Sequence, residues 1–314
     1  WQEVKYFAHQ DNLRWDKEIA GLKHEFIFGF EYTDHKVVSG NYGVTTSGTP
    51  NCRTAAGAGP NNGFCLTDAS GNVLPNLGNL AGPGNPRGAR DAQGLRNLAE
   101  CLSWNRIAHD AVLQVLQQNR LPILLGGDHT LATGSISAVA RHCRATGKQL
   151  RVLWLDAHSD CNTPESSPTG NLHGMPVSSL CGLGPTELAS LSGTTPALPA
   201  SSFCQIGLRS VDESEKHMIR ELGLEVYDMR AIDELGMREV MRRALLTLLG
   251  RNDRDIHLHL SFDVDFLDPD IAPGTGTPAR GGPTYREAQL CMEMIADTGR
   301  LASLDIVELN PALD

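Results

Sequence analysis

The spacing of apolar residues changes along the chain and divides it into two parts. In residues 24–32 apolar and polar positions alternate, and one parity carries the aromatic residues Phe26, Phe28, Phe30 and Tyr32. An alternation of period two is typical of a β-strand whose two faces meet different surroundings. From about residue 95 to Asn119, apolar residues instead recur every three or four positions, which predicts a helix.

Beyond Asn119, short apolar runs alternate with helical patterns. The predicted strands cover 122–125, 151–155, 204–208, 224–227, 256–262 and 304–309, and the predicted helices cover 130–142, 213–222, 237–249 and 285–298. Strands that alternate with helices are typical of a parallel sheet with helices on both faces. We therefore predict a doubly wound, mostly parallel α/β fold for residues 86–314. An unrelated β-hairpin-like or poorly ordered segment precedes it, over residues 1–85.

The N-terminal segment admits two interpretations. Its alternating strand fits a soluble sheet, and it also fits an outer-membrane barrel with the aromatic face outward. Residues 21–38, with the polar loop that Cys52 and Cys65 bracket, resemble part of a TonB-dependent outer-membrane receptor. That resemblance implies an outer-membrane origin, and the two cysteines are placed as in a disulfide-closed loop. The Gly-, Asn- and Pro-rich stretch 75–94 is typical of a linker, where a composite chain would be joined.

Metal-binding types of side chain follow three of the predicted strands. They are His129, then Asp156, His158 and Asp160, and finally Asp263 and Asp265. Each group alone is also compatible with a turn, a helix cap or a structural histidine. Together they would meet, because positions two apart share a face in an extended chain and ligands bind at the carboxyl ends of parallel strands.

Four aspartates at one place repel one another and require a cation. Carboxylates and imidazoles without a set of thiolates favour Mn²⁺ over structural Zn²⁺. Two divalent ions close together can activate a shared water molecule, so the residues predict a metal-activated hydrolase with a binuclear site.

The remaining histidines receive structural interpretations. His257 and His259 share the parity of Asp263, but His259 would lie about 13 Å before it, which is too far to share a metal ion. His109, His142 and His217 fall on predicted helices and are expected at the surface or on a helix side.

The composition of the chain excludes several classes of protein but does not indicate a function. A net charge of -10 argues against a general nucleic-acid binder and against a basic membrane-surface patch. Neither a long apolar run nor a basic-then-apolar leader is found, so no transmembrane helix or signal peptide is expected. The six cysteines after residue 100 are expected to be reduced thiols, mostly buried.

Three motifs in this order resemble the signatures of the ureohydrolase family. They are Gly126–His129, Asp156–Asp160, and Ser261–Asp265 followed by Leu267-Asp268-Pro269. The resemblance covers about residue 84 to 314. It implies one manganese ion held by His129, Asp156, Asp160 and Asp263, and a second held by His158, Asp156, Asp263 and Asp265.

The loop after Asp160 resembles that of the arginases within this family, which implies hydrolysis of L-arginine to L-ornithine and urea. The residues implied to bind the substrate are Asn162, Thr169, Asn171, Asp212, Glu215 and Thr277. Asp212 is equally compatible with a simple helix N-cap. The resemblance also implies that His173 shuttles protons, that Glu308 pairs with the guanidinium, and that Asp160 steers the attacking water. Thr169 departs from the family, where serine is usual.

Other departures concern the ends of the family fold. The chain begins at Trp1 and stops at Asp314, and we find neither the family's first strand–helix unit nor its closing helix and tail. Exposed apolar surface destabilises by about 25 cal/mol per Å², so we expect a complete site on a weakened scaffold, as in a chimera. The family implies a cytoplasmic enzyme and homotrimers or hexamers, which the tail helps to build. The alternatives are agmatinase-type chemistry on another guanidino substrate and a catalytically inactive chimeric fragment.

Overall fold

The computed structural model describes residues 2–19, 22–39, 80–84, 90, 91, 93–250 and 255–310. The chain divides into two compact units, Trp1–Asn79 and Leu80–Asp314. The expected boundary near residue 85 stays a prediction, because residues 85–89 lie outside the described part.

The first unit contains an antiparallel pair of strands. Strand β1 covers Gln2–Ile19 and strand β2 covers Leu22–Ser39, and they pair from Gln2↔Ser39 to Ile19↔Leu22. The strand expected over residues 24–32 lies within β2, and the two strands form the hairpin-like arrangement that was predicted. The aromatic side chains of this strand and the pairing of Cys52 with Cys65 lie outside the described residues.

The second unit is an α/β structure, as predicted. Its strands are β3 (Ile123–Leu125), β4 (Gln149–Leu155), β5 (Phe203–Leu208), β6 (Glu225–Asp228), β7 (Ile256–Asp263) and β8 (Leu301–Val307). Its helices are α1 (Leu98–Gln117), α2 (Leu131–Thr146), α3 (Pro176–Leu180), α4 (Thr186–Ala189), α5 (Glu213–Leu222), α6 (Met229–Leu235), α7 (Met237–Leu249) and α8 (Tyr285–Asp297). The short helices α3, α4 and α6 were not predicted, because fewer than two full turns give too little periodicity to detect.

The six strands that the structure describes in this unit form one parallel sheet in the order β3-β8-β7-β4-β5-β6. The register aligns the carboxyl ends of the central strands, since Leu155 of β4 lies opposite Phe262 of β7 and Ile206 of β5. The last strand was predicted at 304–309 but ends at Val307, because Glu308 adopts a left-handed conformation with φ 61°.

Helices cover both faces of the sheet. Along β4, Val152 and Trp154 pack in a core with residues of α1 and α2, whereas Leu153 and Leu155 pack in a second core with α7 and α8. This alternation follows from the period of two in a strand. Since both faces are buried, β4 is apolar on both, and the site can form only where the strand ends.

One edge of the sheet exposes apolar side chains. Strand β3 pairs with β8, and Leu125 is 64% exposed while Ile123 is 36% exposed. The weakened scaffold expected from the sequence stays a prediction. Among the helices that the structure describes, none has the length and apolarity that crossing a membrane requires.

Candidate metal centre and substrate cavity

The predicted metal ligands converge at the carboxyl ends of β4 and β7 and at the entry to α2. His129 precedes α2, and Asp156, His158 and Asp160 follow β4. Asp263 is the last residue of β7, and Asp265 lies in the 3₁₀ turn Val264–Phe266 that follows. All but His158 are buried.

The ligands do not converge in the predicted way, which assumed an extended chain from Asp156 to Asp160. Strand β4 ends at Leu155, before the first aspartate, and Asp160 has a positive φ of 52°. A left-handed residue turns the chain sharply. As a result Asp160 lies beside His129, whereas His158 lies beside Asp265.

One ligand group surrounds the imidazole of His129. Its Nδ1 atom lies 3.1 Å from Asp156 Oδ2, 3.2 Å from Asp160 Oδ2 and 2.9 Å from Asp263 Oδ2. This buried nitrogen makes no hydrogen bond of proper geometry. One ring nitrogen cannot serve three carboxylates as a donor, whereas all four atoms can serve as ligands of one cation.

A second ligand group surrounds His158. Its Nδ1 atom lies 3.0 Å from Asp265 Oδ2 and 3.5 Å from Asp156 Oδ1. Asp156 therefore directs one carboxylate oxygen toward each imidazole. This arrangement fits two cations bridged by Asp156, since the groups His129–Asp156–Asp160 and Asp156–His158–Asp265 each bring their ligand atoms within 4.8 Å of one another.

Neighbouring groups fix the orientation of these ligands. The His129 Nε2 atom lies 2.9 Å from Ser261 Oγ, which leaves Nδ1 directed at the carboxylates. The ring of Trp154 stacks on that of His129 at 4.1 Å, and its Nε1–H donates to Asp156 Oδ2 at 2.8 Å. Outer contacts of this kind fix the ring orientation of metal-binding histidines. The sequence pattern gives no sign of this role for Trp154 or Ser261.

The charges of the centre favour a bound cation. Burial and the nearby Asp156 raise the pKa of Asp160 to about 6, and burial raises that of Asp263 well above its usual value. Burial opposes a charge on His158, yet its contacts with Asp156 and Asp265 raise its pKa to about 11. Buried carboxylates placed close together disfavour joint ionisation and stabilise a positive charge placed among them.

A cavity of about 490 Å³ opens above the centre. Every residue predicted to act on the substrate lines it. They are Asp160, Asn162, Thr169, Asn171, His173, Asp212, Glu215, Thr277 and Glu308. Asp212 caps α5 by accepting from Glu215 N–H at 2.9 Å, and its other carboxylate oxygen accepts from Asn162 Nδ2 at 3.0 Å. The helix cap and the position in the cavity are therefore compatible.

Two titratable groups lie near the metal centre in this cavity. Glu308 Oε1 accepts from the His129 backbone N–H at 2.7 Å, and burial and Asp128 raise the pKa of Glu308 to about 7. His173 Nδ1 lies 3.4 Å from Asp128 Oδ2, and this contact raises the pKa of His173 to about 9. Sequence analysis missed Asp128, although its place directly before His129 was a usable signal.

The histidines outside the centre mostly follow the sequence interpretation. His259 lies between Ser303 and Asp305, with ring nitrogens 2.8 Å and 3.1 Å from them, and His257 contacts Ser303 at 2.9 Å. His109 is buried on α1, which agrees with a position on a helix side and not with one at the surface. Its Nδ1 atom lies 2.9 Å from Oδ1 of the exposed Asp110 side chain. The cysteines from Cys101 onward are free thiols, as expected.

Known proteins resemble this chain in sequence and fold. The family model described as the Arginase family matches residues 74–314. An arginase of Bacillus caldovelox is 46% identical over 220 residues, which cover 70% of this chain and 71% of that protein. The native structure of Bacillus caldovelox arginase at pH 5.6 superposes with a TM-score of 0.71 at 43% identity, covering 76% of this chain and 78% of that one.

A more distant structure superposes almost as well. Entamoeba histolytica arginase, solved in complex with L-ornithine, gives a TM-score of 0.66 at 32% identity, covering 74% of this chain and 76% of that one. The ligand positions at the strand ends, the cavity above them and these matches agree with one another. The chain belongs to the arginase family.

Proposed function

We propose that the chain is a hydrolase that converts L-arginine and water to L-ornithine and urea, with two Mn²⁺ ions per chain. The observation that carries the proposal is the convergence of four aspartates and two histidines beneath a cavity that Glu308 and Asp212 also line. The family match supports the same activity, since the relatives are arginases and one was solved with L-ornithine.

Manganese is favoured by the donor set. In this proposal His129, Asp156, Asp160 and Asp263 hold one ion, and His158, Asp156, Asp263 and Asp265 hold the other. These are carboxylates and imidazoles, and the nearby thiol of Cys161 is engaged with Ser159 Oγ at 3.0 Å. Hard oxygen ligands with some imidazole suit Mn²⁺. Bound at these positions, the ions would activate a water molecule as the nucleophile at neutral pH.

The substrate would span the cavity between two acidic ends. Glu308 pairs with the guanidinium, since a carboxylate matches its planar donors. Asp212 accepts from the α-amino group, and Asn162, Thr169 and Asn171 bind the α-carboxylate and α-amino end. Glu215 supports Asp212, because its carboxylate Oε2 accepts from the Asp212 N–H at 3.1 Å. Thr277 orients a metal ligand, since its hydroxyl donates to Asp265 Oδ2 at 3.1 Å.

Proton transfers fall to two side chains. Asp160 accepts the proton that the attacking water loses as its oxygen bonds to the guanidinium carbon. The bond between this carbon and the δ-nitrogen of the ornithine part then breaks, and the nitrogen leaves protonated with the help of Asp160 and His173. A positioned acid of this kind accelerates such a step by about 10²- to 10⁴-fold.

The direct test is urea release by manganese-loaded protein from L-arginine and from agmatine, which lacks the α-carboxylate. We expect faster release from L-arginine. Faster release from agmatine would make the chain an agmatinase instead. Failure of the folded chain to bind two Mn²⁺ ions would favour the inactive-fragment alternative. We also propose that the enzyme acts in the cytoplasm and that residues 86–314 form its catalytic part, which fractionation and a truncated chain would test.

A further inference from the structure

The guanidinium of Arg209 is bound almost entirely by backbone carbonyls. Arg209 directly follows β5, and its three side-chain nitrogens donate to five carbonyl oxygens at 2.7–3.2 Å. The acceptors belong to Gly207, Asp265, Phe266, Leu267 and Ala279. An arginine has five N–H donors in a rigid plane. One side chain therefore fixes the backbone of two separate loops.

One of these loops supplies Asp265 to the second ligand group, and the other supplies Thr277, which donates to Asp265. Asp265, which Arg209 binds through its carbonyl at 2.7 Å, contacts His158 through its carboxylate at 3.0 Å. Ala279 lies two residues after Thr277, whose hydroxyl donates to Asp265 Oδ2 at 3.1 Å. Arg209 therefore holds the Asp265 backbone directly, and it holds the loop whose Thr277 hydroxyl binds the Asp265 carboxylate.

The backbone next to Arg209 binds the third segment of the same group. The N–H groups of Arg209 and Ser210 donate to the Ala157 carbonyl at 2.9 Å and 3.0 Å. Ala157 lies between Asp156 and His158. Arg209 therefore links the segment that carries Asp156 and His158, the turn that carries Asp265 and the loop that carries Thr277.

A glycine leaves space for this side chain. A Cβ atom at Gly282 would lie 2.5 Å from Arg209 Nη2 and 2.7 Å from the backbone nitrogen of Asp268. The latter is backbone and cannot move aside cheaply. The close approach of Gly282 encloses the guanidinium against the turn that carries Asp265.

Other contacts hold the first ligand group. His129 is oriented by Ser261 at 2.9 Å and by the stacked ring of Trp154, and the Asp160 carbonyl accepts from Val177 N–H at 3.0 Å. Arg209 makes none of these contacts within the described residues. The two ligand groups therefore have largely different supports. They are linked through Asp156 and Asp263, which belong to both proposed ion sites, and through the Asp265 N–H, which donates to Asp263 Oδ1 at 2.7 Å.

We propose that Arg209 is a positioning residue for one of the two metal ions, the one held by His158 and Asp265, and that the ion beside His129 depends on it far less. This inference rests on the proposed binuclear function. It predicts that one substitution, which removes no metal ligand, weakens the binding of one ion and leaves the binding of the other nearly unchanged.

The test is Mn²⁺ binding by calorimetry and electron paramagnetic resonance of the full chain with Arg209→Met. Wild type is expected to bind two ions and to give the spectrum of a coupled pair. Loss of an outer contact typically weakens a metal site by about 10- to 100-fold. We expect that loss for one ion only, with a spectrum of isolated Mn²⁺. Arg144→Met is the matched control, because Arg144 also binds backbone carbonyls, those of Ser192 and Ala197, away from the site.

Several results would overturn the inference. Two ions bound with wild-type affinity, or both ions weakened equally, would each contradict it. If Arg209→Met does not unfold cooperatively, and so is not properly folded, Arg209→Lys takes its place. This variant must then show the same weakened binding of one ion. A wild-type chain that binds fewer than two ions would refute the proposed function together with this inference. Normal binding and urea release by wild type, with no selective loss in the variant, would refute the inference alone.

Discussion

The His173 imidazole and the Asp128 carboxylate face one another at the rim of the cavity, with Nδ1 3.4 Å from Oδ2. Asp128 is also fixed in place, since it accepts from the Thr130 N–H at 2.9 Å. The carboxylate therefore gives His173 a constant partner on one ring nitrogen. The other nitrogen remains available to a substrate, as a proton donor requires.

Replacing Asp128 by Asn should slow the reaction without changing substrate binding. The contact with Asp128 raises the pKa of His173 to about 9. Removal of the negative charge should lower this pKa, so that less His173 is protonated at pH 8 and the alkaline limb of activity moves to lower pH. We expect kcat to fall by about 10-fold or more, with KM little changed.

The control for this variant is Asp110→Asn. Asp110 also lies 2.9 Å from a histidine, His109, but this pair is on α1 and does not line the cavity. Its loss should leave the pH profile unchanged. A profile for Asp128→Asn that matches wild type would show that Asp128 does not act through His173.

Glu308→Gln should separate catalysis from metal binding. The variant keeps an oxygen that can accept from the His129 N–H but loses the charge that pairs with the guanidinium. Breaking a buried charge pair costs about 2–5 kcal/mol, which corresponds to at least a 30-fold loss of kcat/KM. Calorimetry should still detect two Mn²⁺ ions. Glu293→Gln, on the exposed face of α8, is the control and should keep full activity.

Thr169 offers a test of substrate choice. Its Oγ1 accepts from the Asn171 N–H at 3.2 Å, and Thr169→Val removes this hydroxyl at nearly constant volume. A hydrogen bond to a charged group contributes about 1.5–3 kcal/mol. We expect kcat/KM to fall about 10- to 100-fold for L-arginine and much less for agmatine, which has no α-carboxylate. Thr169→Ser retains the hydroxyl and should stay close to wild type, whereas equal losses on both substrates would exclude a role in carboxylate binding.

The stability of the fold should decrease in acid because of His257. This side chain is 2% exposed, and burial together with His259 and Lys148 lowers its pKa to about 3. Its usual pKa is near 6.5, so between pH 6.5 and 3 the unfolded chain binds the proton that the folded chain refuses. The free energy of unfolding should therefore fall as the pH falls, by up to about 1.4 kcal/mol per pH unit.

Urea unfolding at several pH values in this window measures the effect. His257→Gln should reduce the slope, and His217→Gln, on the exposed side of α5, should not. The comparison with wild type removes the contribution of the metal centre, which is common to all three proteins. An identical slope in His257→Gln would assign the acid sensitivity to other groups.

The sequence by itself determined the class of fold and the ligand types. Periods of two and of three to four residues placed β4, β7, α5 and α7 within a few positions, because burial of one face imposes that spacing. The motifs that follow β3, β4 and β7 identified His129, Asp156 and their partners, since metal chemistry restricts the residue types. The strand end at Glu308 was placed too late, because its left-handed conformation leaves no mark on apolar periodicity.

Only the tertiary structure decided which ligands meet and what supports them. The left-handed turn at Asp160 sends it to His129 and leaves His158 with Asp265, an arrangement that an extended chain would not give. Asp128 meets His173 across 45 positions of sequence, and Arg209 binds carbonyls more than 50 positions away. Such contacts join one side chain to a backbone carbonyl or to one other side chain, and many positions of any sequence could provide such a partner. Their partners are therefore set by the packing of the loops and not by local pattern.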